Sequence, residues 1–138
     1  MSESDQKTIR GHDIQVPLDH TNPDLGTGSI YYEFGKTFDK TKPVVIVIAD
    51  AQQFYIRKGE VAKFQERWFG EAFNVLGIVG RGTSPEFIQA TIGNDEKPDW
   101  MKAWNIFNYS QWLADIDAIR QAVLGADGQI LILSLIHI

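Results

Sequence analysis

Pro43 opens an unbroken apolar run, Val44-Val45-Ile46-Val47-Ile48, and no other stretch constrains the fold as much. The run is short, β-branched and free of polar alternation. A strand with one face in water alternates apolar and polar residues. A strand without alternation has both faces covered, as inside a parallel sheet flanked by helices. Phe73 to Val79 is a second buried-strand candidate, and Gln129 to Leu133 is a third short apolar run.

Helical periodicity separates these runs. Val61, Phe64 and Trp68 fall near helical spacing within 58–69, and Gly70 is a natural stop. Trp112, Ile116, Ile119 and Val123 share one face of a helix over Tyr109–Leu124, which ends at Gly125. Asn108 is placed to cap that helix, with Gln111 as a capping-box partner. Upstream, Ile14, Val16 and Leu18 alternate with polar residues, and so do Ile30, Tyr32 and Phe34. These read as two antiparallel strands near 12–18 and 29–36, joined by a turn through Asn22-Pro23-Asp24 and Gly26 to Gly28. Residues 80–108, punctuated by glycine and proline, read as a long loop with one helical turn. The expected class is α/β: two antiparallel N-terminal strands, then β-α-β-α-β in a mainly parallel sheet.

Composition bounds the function. The 138 residues are 43% apolar, enough for a real core. A formal charge of −5 and the lack of a basic patch argue against nucleic acid as a partner. No apolar run reaches the ~18 residues that a membrane span needs. Met1 to Arg10 has no apolar segment of the secretory kind, so a cytoplasmic protein is expected. With no cysteine, disulfides and thiolate metal sites are excluded. No phosphate-binding G-x-G-x-x-G or G-x-x-x-x-G-K-[ST] occurs, so a flavodoxin-like nucleotide domain is disfavoured, and no cofactor is expected.

Several motifs, in order and at matching spacing, carry a resemblance. Val16-Pro17-Leu18-Asp19-His20-Thr21-Asn22-Pro23 is similar to the opening strand of α/β-hydrolases of the proline iminopeptidase type. Gly80-Arg81-Gly82-Thr83-Ser84 resembles the end of that family's D-x-R-G-x-G-x-S loop after the fourth strand. Asp115 to Arg120, with Leu124-Gly125, resembles the helix before its nucleophile, and Gln129 to Leu133 the strand feeding the nucleophile elbow. The resemblance implies the N-terminal portion of an α/β-hydrolase fold. The implied activity is serine-type hydrolysis of an ester, or of an amide at a peptide N-terminus, so the parent's partner would be a small-molecule or peptide substrate.

Departures from the pattern define the candidate site. Where the family has His-Gly-Gly-Pro-Gly after the third strand, this chain has Ala49-Asp50-Ala51-Gln52-Gln53. A backbone N–H needs no glycine, so Ala51 and Gln52 are the oxyanion-hole candidates. The aspartate before the Arg-Gly pair is replaced by Val79. Arg81, with Gly82, reads as a structural loop anchor rather than a catalytic group. The elbow G-x-S-x-G would fall on Ser134-Leu135-Ile136-His137-Ile138, with Ile136 in the nucleophile's place. No catalytic residue is therefore assigned. Residues 1–133 read as the first part of one hydrolase domain, and residues 134–138 as a non-native tail. The chain is expected to be inactive, and as a fragment to self-associate. The alternative is a non-catalytic hydrolase-fold binding protein.

The remaining candidates have bland readings. His12 and His20, with Asp13 and Asp19 nearby, suggest a metal site on paper but read as solvated polar residues, so no metal is assigned. Asp115 and Asp117, at i and i+2 on a helix, do not face each other and form no carboxylate pair. Trp100, Trp104 and Phe107 read as packing for the long loop rather than as a substrate pocket.

Overall fold

The computed structural model describes residues 11–48 and 58–134. Among the described residues there are five strands: β1 (Gly11–Pro17), β2 (Thr27–Phe34), β3 (Val44–Ile48), β4 (Asn74–Val79) and β5 (Ile130–Ser134). The helices are α1 (Val61–Trp68), α2 (Pro85–Gln89), α3 (Trp100–Phe107) and α4 (Tyr109–Leu124). Single 3-10 turns occupy Pro23–Leu25 and Arg81–Thr83.

The strands form one sheet in the order β1-β2-β4-β3-β5. β3 pairs parallel with both β4 and β5, while β2 pairs antiparallel with β4. The sheet is therefore mixed rather than mainly parallel. The apolar runs at 44–48 and 74–79 fix its middle, because their residues are buried on both faces.

Contacts divide the described residues into two compact units, one of 11–12, 31–48, 58–79 and 128–134, the other of Asp13–Ile30 and Gly80–Asp127. In the first, Val45, Val47, Val61 and Val75 form an apolar cluster, with Phe64, Phe69 and Phe73 packed against it. The last turn of α1 closes where the Phe69 and Gly70 N–H groups both donate to the Gln65 carbonyl. Gly70 sits at φ 57°, the left-handed conformation that only glycine adopts without cost.

The second unit corrects the reading of 80–108 as loop. Two helices lie there, α2 and α3. Asp99 starts α3 by accepting from the N–H groups of Met101 and Lys102, a capping signal ahead of Trp100 that the glycine and proline punctuation hid. Asn108 caps α4 by accepting from the Gln111 N–H at 3.2 Å. Gln111 is not the return half of a capping box, because both ends of its side-chain amide are used elsewhere. Gly28 lies so close to the Phe87 ring that a Cβ there would sit 2.6 Å from it.

Candidate functional site

In the first unit, the feature with functional geometry is the parallel pair β3/β5. Its register runs from Val44 opposite Ile130 to Ile48 opposite Ser134. Both strands therefore end at the same level. β4 lies on one side of β3 and β5 on the other, so the winding of the sheet reverses there. Outside the carboxyl ends of strands at such a reversal is where open α/β sheets place their sites. Ala51 and Gln52, the oxyanion candidates, lie outside the described residues, as do Leu135 to Ile138.

The second unit is built around Arg81, which is 0% exposed. Its Nε and Nη2 donate to Oδ2 and Oδ1 of Asp115, each at 2.7 Å, in a bidentate pair. Nη1 donates to the carbonyls of Leu18 (2.8 Å) and Ile106 (2.7 Å), and Nη2 also donates to the Pro17 carbonyl at 3.2 Å. The guanidinium carbon lies 4.5 Å from the centre of the Phe87 ring. All five donors of the fork are thus directed, which a lysine could not reproduce. Gly82 is exposed beside it.

Asp115 Oδ1 also meets His20 Nε2 at 2.7 Å. The Gln111 amide bonds Asp19 Oδ1 at 2.7 Å and accepts from the His20 N–H at 2.9 Å. Asp19 Oδ1 further accepts from the Thr21 hydroxyl at 2.6 Å and the Thr21 N–H at 2.8 Å. The Thr21 hydroxyl and then its N–H lower the Asp19 pKa from the usual carboxylate value; burial opposes them, and Gln111 and the Asn22 N–H add to the lowering. Asp19 and His20 are therefore members of a polar network, not the solvated side chains that strand alternation implied. Asp115 and Asp117 do have separate surroundings: Asp117 is exposed and bonds Arg120 and Gln121. His12 is exposed and lies 5.4 Å from the Tyr32 ring, and Asp13 is exposed. Among the described residues, no group of three or more acidic or histidine side chains is placed to hold a metal ion.

This network was missed because its partners are up to 95 positions apart in the chain. One signal was available. Gln111 and Asp115 sit at i and i+4 on the helix stripe that also carries buried Ile119. Polar groups in a buried stripe require partners, and Arg81 carries five donors.

A groove of about 420 Å³ adjoins the network. Leu18, Leu25, Ala90, Ile92 and Ile106 give its apolar surface, and Asp19, Glu86, Gln89, Lys102 and Asn105 its polar groups. Trp100 and Trp104 line neither this groove nor a core. Trp100 is 80% and Trp104 69% exposed, against the expectation that they pack the loop. Phe107 is half-buried.

No family model matches the chain, no curated protein matches it, and no solved structure matches it. Among the described residues, no helix is long and apolar enough to cross a membrane.

Proposed function

We propose that this chain is part of a serine-type hydrolase of the proline iminopeptidase-like kind, acting on an ester or on an amide at a peptide N-terminus. In that chemistry a serine attacks the carbonyl carbon while a histidine takes its proton. Backbone N–H groups hold the oxyanion, the C–O or C–N bond breaks as the histidine returns its proton to the departing alcohol or amine, and water then hydrolyses the acyl-serine ester to free the acid and the serine. The observation that supports the reading is the β3/β5 register, with Ile48 opposite Ser134. A nucleophile elbow needs the loop after one parallel strand beside the end of the next, because the two supply the oxyanion donors together.

The triad itself is assigned to none of the described residues. The His20–Asp115 pair does not qualify. Asp115 is already held bidentate by Arg81, and no serine or threonine hydroxyl bonds His20 among the described residues.

The test is a fusion of residues 1–133 to the elbow, triad and remaining domain of a proline iminopeptidase-like hydrolase. It is assayed with p-nitrophenyl esters and proline anilide beside its nucleophile Ser→Ala variant. Turnover that depends on that serine supports the reading. A folded, monodisperse fusion without turnover would favour a hydrolase-fold binding protein instead.

A further inference from the structure

We propose that α3 is the docking surface for a second copy of this chain, with Trp104 of each copy seated in the groove of the other. This does not rest on the hydrolase reading. Trp100, Met101 and Trp104 are 80%, 69% and 69% exposed. A helix turns about 100° per residue. The exposed arc of α3 therefore runs, in order around the axis, through Trp100, Trp104, Met101, Asn105 and Lys102. The indoles stand at one edge of that arc. Asn105 and Lys102 stand at the other, where they line the groove together with buried Ile106. A pair of protruding rings and a recess thus flank one helix, with Met101 between them.

That arrangement is self-complementary. A twofold axis running along α3 lays the indole edge of each copy against the groove edge of its partner, the isologous geometry of a closed dimer. The groove, about 420 Å³, has apolar walls from Leu18, Leu25, Ile92 and Ile106 and room for an indole. Lys102 is exposed and forms no ion pair among the described residues. On the groove edge it meets the partner's rings, where an ammonium stacks favourably on an indole. The area agrees. The two indoles and Met101 expose about 400–500 Å², and a patch of that size on a monomer is often functional. With the groove walls the face approaches the ~800 Å² that each partner gives a standard interface. The formal charge of −5 disfavours an anionic bilayer as the occupant, and a bilayer would leave the groove unfilled.

The test is sedimentation of the full chain carrying Ile132→Lys, which keeps the exposed strand β5 out of the contact. That protein is expected to be a dimer with a Kd of roughly 10 μM. Trp104→Ser, at the indole edge, and Leu25→Arg, at the exposed rim of the groove, should each weaken it at least about tenfold. Both positions are exposed, so circular dichroism should show both variants folded, and either one alone tests the contact. Mixed in equal amounts, the two variants should recover part of the dimer, because the intact indole of one meets the intact groove of the other. A monomer at about 100 μM, dimerisation unchanged in a folded variant, or a mixture no more dimeric than its components would each overturn the proposal. So would a monomer that binds phosphatidylcholine vesicles through Trp104, which would assign the face to lipid.

Discussion

The two compact units are held together by different physics. The one containing β3 and β4 has an apolar centre, in which Val45, Val47, Val61 and Val75 meet with Phe64, Phe69 and Phe73 around them. The one containing α4 is organised by a buried ion pair, Arg81 with Asp115, whose hydrogen bonds tie residues 17, 18 and 106 to one guanidinium. Apolar burial is additive and tolerant, because many small contacts share the load. A buried fork has few substitutes, because removing one partner leaves the other charge without compensation.

Arg81→Ala should be the sharpest break of that contrast. It leaves the buried Asp115 with only the His20 ring as a side-chain partner, and a loss of about 3–5 kcal/mol is expected in urea unfolding. Val45→Ala, in the apolar cluster, should cost less. If the two losses are equal, the units do not differ as described. Gly28→Ala comes next. Its Cβ would meet the fully buried Phe87 ring at 2.6 Å, and overpacking of this kind costs about 1–3 kcal/mol. A neutral Gly28→Ala would mean that the ring moves freely.

The legibility of the chain followed the same division. The strands at 44–48 and 74–79 and the helix Tyr109–Leu124 were readable, because periodicity and a cap are local signals. The antiparallel β2–β4 pairing was not, since register between distant strands leaves no periodic trace. The partners of Arg81 were equally hidden: the loop-anchor reading of Arg81 names no partner, and Asp115 lies 34 positions away. Helix α3 was hidden for another reason. Its exposed Trp100, Met101 and Trp104 break the usual amphipathic pattern.

Smaller effects sharpen the comparison. β5 ends the sheet order, and Leu131 and Ile132 on it are 56% and 50% exposed. An uncharged strand edge pairs readily with another copy. The chain should therefore self-associate, and Ile132→Lys should shift its sedimentation towards monomer; an unchanged profile would place the contact elsewhere. Asp19 should add acid sensitivity. Its pKa is lowered in the folded state, so its contribution is complete above the ordinary carboxylate range and is lost as pH falls through the lowered value. Thr21→Val removes the leading cause and should move the acid-unfolding midpoint upward. Asp117→Ala, at an exposed ion pair, should leave unfolding unchanged, in contrast to Asp115→Ala.

The central claim is that β3 and β5 run parallel and end together. The chain has no cysteine, so Val47→Cys with Leu133→Cys, a register pair, can be oxidised without interference. Neighbouring parallel strands bring the Cα atoms to roughly 5 Å, within reach of a disulfide. The account predicts an intramolecular crosslink in this pair and little in Val47→Cys with Ile130→Cys. Equal crosslinking in both, or none in the first, would contradict it.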